Sequence, residues 1–306
     1  MAKQVEKAAN RFEGMVAIQL NVRFWPGQAK LKPQDLGLKP EEVPEIFYLG
    51  NKKLYPQEIR QRFGQISNRA RTFLNDHSYP FVMEYVRAIP KRNLAKVVER
   101  LEELKAEFMA EAQNFLAEYD AIREDWRQRY SDIWEHLAPH YPPRDYLKRR
   151  FDFLWTVFEI KGVEVQEGSP PEIIEAYERA RAELQARYEE MVQEAVVYLR
   201  KKVLEVVNNL STRLKEGRIV RNDTLESVRR VEAWFKDLNI FGDVQVEEAM
   251  TQLRAALNGT DYEALKGNEA LKQQLAGLAD QVAAAAGKLD DVSAISGNYK
   301  RMIDLS

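Results

Sequence analysis

The sequence has no cysteine. Disulfides, thiolate metal sites, iron–sulfur clusters and a cysteine nucleophile are therefore excluded. Histidine is almost as scarce, with three in 306 residues. No apolar run approaches the ~18 residues of a membrane span, and Met1–Glu13 is charged, without the apolar stretch of a secretory signal. Cytoplasmic location, with no membrane partner, is the expectation. Neither sign of charge prevails: 46 Lys and Arg stand against 48 Asp and Glu, a net charge of −2. The whole chain thus lacks the basic excess typical of proteins held on nucleic acid by phosphate contacts, and local clusters have to be judged alone. Neither G-x-x-x-x-G-K-[ST] nor G-x-G-x-x-G occurs, so any ATP would be bound by another chain.

Charge of both signs is abundant. Charged residues make up 31% and apolar residues 45%, a mix that suits long helices with solvated faces. Val16, Ile18, Leu20, Val22 and Phe24 alternate with smaller or polar residues, which predicts a strand ended by Trp25-Pro26-Gly27. A proline-interrupted stretch follows to Tyr55, with short helical turns expected near Pro33 and Pro40. A helix is predicted from Pro56 to Asn75. Phe81 to Ile89 reads as strand or as a short apolar connection.

From Lys91 to Leu137 no Gly or Pro intervenes, and Leu94, Val97, Leu101, Leu104, Phe108, Phe115, Ile122, Trp126 and Ile133 recur at helical spacing. A second long helix is predicted from Pro171 to Glu216, with Ile173, Tyr177, Leu184, Met191, Leu199, Val203 and Leu210 on its stripe and Gly217 as its terminator. Matched lengths suggest an antiparallel, coiled-coil-like hairpin. Its connector, Phe151–Ile160 followed by Lys161-Gly162 and Val163–Val165, reads as a β-hairpin whose first strand is buried on both faces. The fold class expected is mainly α: a long helical hairpin, a small β-element from residues 15–25 and 151–166, and a C-terminal helical region. The corresponding domains are 1–90, 91–217 and 218–306. Beyond Asn258 aromatics thin out and alanine dominates, which predicts weakly anchored helices ordered on a partner.

No site is expected for catalysis, a cofactor or a metal. His136 and His140 have the i, i+4 spacing of a zinc pair, with Asp132 and Glu135 upstream. Pro139 lies between them and disrupts that helix. His77 between Asp76 and Ser78 reads as a turn, and acid pairs such as Glu102-Glu103 as solvated charge. A metal-dependent hydrolase is accordingly a distant third reading. Basic clusters carry more weight. Lys148-Arg149-Arg150 lies between Tyr146 and Phe151, an interleaving that can bind phosphates and stack bases. Arg218, Arg221, Arg229 and Arg230 form a second candidate contact for nucleic acid. Arg60, Arg62, Arg69 and Arg71 share one helix, and Arg200-Lys201-Lys202 is a further cluster.

Several segments resemble one bacterial and phage family known only as a domain of unknown function. They are Trp25-Pro26-Gly27, Lys32-Pro33-Gln34-Asp35-Leu36-Gly37-Leu38, Leu49-Gly50-Asn51-Lys52-Lys53, Phe115-Leu116-Ala117-Glu118-Tyr119-Asp120 and Tyr146-Leu147-Lys148-Arg149-Arg150-Phe151. The resemblance covers Val16–Ile160. It implies company: a MoxR-type AAA+ ATPase and a von Willebrand factor A protein of the cobaltochelatase type. The resulting expectation is a non-catalytic scaffold or adaptor in a hetero- or homo-oligomer, with Phe153, Trp155, Phe158 and Trp126 as the candidate protein interface. The alternative is a nucleic-acid-binding subunit of a phage or bacterial defence complex.

Overall fold

A computed structural model describes residues 14–159, 168–288, 291, 292 and 295. In chain order the strands are β1 (Met15–Arg23), β2 (Gln28–Lys30), β3 (Asn51–Lys53), β4 (Tyr79–Pro80), β5 (Val86–Pro90) and β6 (Asp152–Glu159). The α-helices are α1 (Gln57–Asp76), α2 (Leu94–Arg129), α3 (Trp134–Leu137), α4 (Arg144–Lys148), α5 (Pro171–Lys215), α6 (Asn222–Leu238), α7 (Val244–Ala256), α8 (Tyr262–Leu265) and α9 (Glu269–Gly287). The strands form a sheet of order β4-β5-β1-β6 and a separate antiparallel β2–β3 ladder, with Ala29 opposite Lys52. The described chain is mainly helical, as its composition implies.

The chain divides into two units, each discontinuous in sequence. One holds Gln19–Asp76 and Ala95–Thr156; the other holds His77–Leu94 and the described residues up to Ile18 and from Val157 on. The boundaries fall inside β1 and β6, because a strand can give one half of its length to one core and the rest to another.

The first unit is built on aromatic packing. Phe63 of α1 lies against Phe24, Phe108, Phe115 and Phe151, with ring centroids 5.1–6.3 Å apart. Trp25 packs on Tyr55, Phe115 and Tyr119. Arg62–Glu111 and Arg69–Glu107 ion pairs run in opposite chain directions along α1 and α2 and show these helices to be antiparallel. The Trp25-Pro26-Gly27 turn has a specific reason for its glycine. Gly27 has φ +54, and a Cβ there would sit 1.8 Å from the Tyr55 ring. That ring is held in place by its hydroxyl, which donates to the Trp25 carbonyl at 2.9 Å.

The second unit is organised by α5, whose 45 residues span about 67 Å at 1.5 Å per residue. Met191, Val192, Ala195, Val196, Leu199, Val203, Val207, Leu210 and Leu214 form one buried stripe; α6 and α9 pack on α5, and α7 packs on both of those helices. The C-terminal carbonyls of α6, left without helical donors, are satisfied from the β5 end of the chain. Arg92 and Asn93 donate to the Lys236 and Asp237 carbonyls, and the Tyr79 hydroxyl to that of Leu238.

Several expectations need correction. The helix from Lys91 ends at Arg129, because Tyr130 leaves helical geometry (φ −123, ψ 39) and short turns lead through Pro139 to His140. Strand β6 is not buried on both faces: Phe153 is buried, while Leu154 on the opposite face and Val157 further along the strand are exposed. The expected return strand, Val163–Val165, lies outside the described residues. The described helices after Asn258 are not loosely held. Leu275, Ala276, Ala279, Val282 and Ala286 of α9 are buried against the other helices, and small side chains let α9 approach α5 closely. The two long helices, α2 and α5, lie almost wholly in different units, and each is packed within its own.

Candidate functional site

The aromatic unit carries an open depression of about 580 Å³ lined by Val22, Arg23, Phe24, Pro26, Arg60, Arg149 and Arg150. Local structure explains why four arginines meet there. Alternation along β1 turns Val22 inward and leaves Arg23 exposed. Arg60 follows buried Ile59 in the first turns of α1. Arg149 terminates α4, a helix end whose carbonyl partial charges favour cations. Arg150 sits against the exposed Tyr146 ring, its guanidinium carbon 5.7 Å from the ring centre. Arg23 is ion-paired with Asp152 at 2.8 Å. Among the described residues no carboxylate lies within ion-pair distance of Arg60, Arg149 or Arg150. A smaller neighbouring depression, lined by Gly27, Gln28, Lys53, Tyr55 and Gln57, shares Pro26 and Arg60 with the first.

The other basic residues singled out from sequence are differently employed. Lys148 pairs with Asp145 at 2.9 Å. Arg218 pairs with Glu216 at 2.7 Å. Arg229 donates to the carbonyls of Leu257 and Thr260 and pairs with Glu226, so it braces the loop after α7. Arg230 donates to the Ser227 hydroxyl at 3.1 Å, and Arg221 precedes α6 as an exposed residue. Arg62 and Arg69 are taken by Glu111 and Glu107. Arg200 is not a surface cation at all: it is fully buried with Asp243. Arg23 was missed by the sequence reading, although its place in the strand alternation marks it as solvent-facing.

The expected protein-contact aromatics do not form one patch. Phe153 is 1% exposed and packs on Phe108. Trp155 is half-buried beneath the Lys105 ammonium, 5.3 Å from its ring centre. Phe158 belongs to the helical unit and packs against that unit's own core, and Trp126 lies half-buried beside Tyr130 at 5.1 Å. Exposed apolar surface lies elsewhere. Residues 171–187 of α5 precede its buried stripe, and Ile173 and Tyr177, one turn apart, are 46% and 40% exposed. Packing of the helix begins at Tyr188, whose ring lies 5.7 Å from that of Phe81. Ile46, Phe47 and Tyr48 form a second exposed run, 86%, 65% and 75% accessible. It escaped notice because its proline-broken surroundings have no periodicity.

His136 and His140 occupy the short turns after α2. The Lys52 ammonium donates to the His136 carbonyl and to Asp35 Oδ1, the latter at 2.8 Å. Burial and the Lys52 charge hold His140 below the ordinary histidine value, so it favours the neutral form. Asp35 remains charged because hydrogen bonds from Lys52 and the Lys32 amide outweigh the burial that opposes ionisation. Among the described residues no group of three or more His, Asp and Glu is placed to hold a metal ion.

A family model matches residues 12–280, most of the chain. The chain belongs to the family described as protein of unknown function (DUF3150). The match continues past Gly217 and so takes in residues of both units. Segments that carry the resemblance converge within the aromatic unit of this DUF3150 protein: Gly27 against Tyr55, Asp35 with Lys52, and Phe115 and Tyr119 against Trp25. No curated protein and no solved structure matches the chain. No described helix is long and apolar enough to cross a membrane.

Proposed function

We propose that this DUF3150 protein is a cytoplasmic, non-catalytic adaptor that holds other proteins in an assembly, with the first half of α5 as its docking arm. The observation that carries this reading is the uncovered apolar face at Ile173 and Tyr177, on a helix whose later turns are fully packed. The arm covers about 25 Å of helix with charged residues around the stripe, four of them arranged as the i, i+4 pairs Glu175–Arg179 and Glu183–Arg187. Such pairs stabilise an exposed helix by only a few tenths of a kcal/mol each. A partner helix laid along the stripe would bury apolar surface and contribute more.

The partners proposed are those that the family resemblance implies, a MoxR-type AAA+ ATPase and a von Willebrand factor A protein. Side-by-side pairing of α2 and α5 is not required by this reading. Co-purification of the full chain with each partner tests it. Retention of the ATPase by the native chain and its loss with Ile173→Glu combined with Tyr177→Glu are expected. Equal retention by a variant with an unchanged helical circular-dichroism spectrum would contradict the assignment of the arm.

A further inference from the structure

We propose that the arginine-lined depression of the aromatic unit binds the phosphate backbone of single-stranded nucleic acid, independently of the docking arm. Three guanidinium groups, Arg60, Arg149 and Arg150, face it without a carboxylate in ion-pair range among the described residues, and Arg23 adds a fourth that shares its charge with Asp152. By contrast, Arg62, Arg69, Arg200 and Arg229 are each matched to an acid or a carbonyl. Leaving three like charges around one open hollow is electrostatically unfavourable, and a bound polyanion relieves it.

The shape favours a chain over a compact anion. The depression is open, whereas sites for small molecules enclose most of the ligand's surface. A second, smaller hollow shares Pro26 and Arg60 with it, and Lys53 on its lining supplies another cation. A lane from Arg149 and Arg150 through Arg23 and Arg60 to Lys53 offers successive contacts to consecutive phosphates. Aromatic groups stand beside this lane: Tyr146 is exposed against Arg150, and Phe24 is half-buried on the depression wall. Cations interleaved with accessible rings suit unpaired bases, which stack, better than a duplex, whose bases are already stacked.

Fluorescence anisotropy of labelled 15-nucleotide oligo-dT and oligo-U with the full chain tests the proposal. Binding is expected, with a log–log salt slope of about −3 if some four phosphates are neutralised. Arg60→Glu combined with Arg149→Glu should weaken it at least tenfold, with a thermal transition like that of the native chain. Arg218→Glu, outside the depression, should leave affinity unchanged. Three results would overturn the proposal: no binding at 50 mM salt, equal loss with Arg218→Glu and the double variant, or tighter binding of a 15-base-pair duplex than of either single strand.

Discussion

Arg200 Nε donates to Asp243 Oδ2 at 2.7 Å, with the two side chains 0% and 2% exposed. The rest of the guanidinium is equally occupied. Nη2 reaches the other Asp243 oxygen at 3.2 Å, both terminal nitrogens reach Asp291, and Nη1 also donates to the Lys288 carbonyl. All five N–H donors of the group are thereby used. Asp243 in turn accepts from the Val246 amide and caps α7. One buried side chain on α5 thus ties the start of α7 to the segment that follows α9. Burial works against its charge, but the two carboxylates more than compensate and raise its pKa above the ordinary arginine value.

Arg200→Met should be strongly destabilising. It leaves Asp243 buried without its counter-charge, a loss of about 3–5 kcal/mol for pairs of this kind. Urea denaturation followed by circular dichroism checks the value. Arg200→Lys should recover little, since an ammonium cannot make two bidentate contacts in a plane. A change under about 1 kcal/mol for Arg200→Met would show the pair to be dispensable.

Gly27→Ala should destabilise the aromatic unit. The left-handed backbone costs an alanine roughly 1–2 kcal/mol, and the Tyr55 ring must also leave its place. Tyr55→Phe keeps the ring and loses only the bond to Trp25, a loss of about 1 kcal/mol. Thermal melting should therefore rank Gly27→Ala below Tyr55→Phe in stability.

Stability should fall in acid in two stages. His140 is held below its ordinary value of 6.5, so the unfolded chain takes up its proton first and this contribution fades below pH 6.5. Asp280, held down by hydrogen bonds from Lys215 and Ser211, and Asp291, held down by Arg200, behave likewise from 3.8. Asp35 adds to this second stage. Their stabilisation is complete above 3.8 and disappears as pH drops through the lower folded values. Urea midpoints measured against pH should lose the first limb in His140→Gln and part of the second in Asp291→Asn.

Ala279 is fully buried on α9, which packs most extensively on α5. Ala279→Leu should therefore cost about 1–3 kcal/mol by overpacking, and removal of residues 269–306 should leave a chain that does not fold its helical unit. A loosely held tail would tolerate both changes, as urea denaturation of the point variant and solubility of the truncated chain would reveal.

The strand at Val16–Phe24 and the long helix from Pro171 were legible because both carry unbroken periodicity, two residues in one and three to four in the other. The role of Ala279 and Ala286 was not, since alanine signals a close helix contact only when the opposing helix is known. Arg200 illustrates a further limit: beside Lys201 and Lys202 it reads as surface charge, and its acids lie 43 and 91 positions away. Of the arginine-lined depression, Arg149 and Arg150 were found through their aromatic neighbours. Arg23 and Arg60 join them only because folding brings residues from β1, α1 and the end of α4 to one surface.

Hydrogen–deuterium exchange along α5, with and without the MoxR-type ATPase, tests the adaptor reading most directly. Amides of residues 171–187 should exchange quickly in the isolated chain, those of 191–214 slowly, and the partner should slow the first group while leaving the second unchanged. Identical exchange across 171–187 at saturating ATPase would contradict the account.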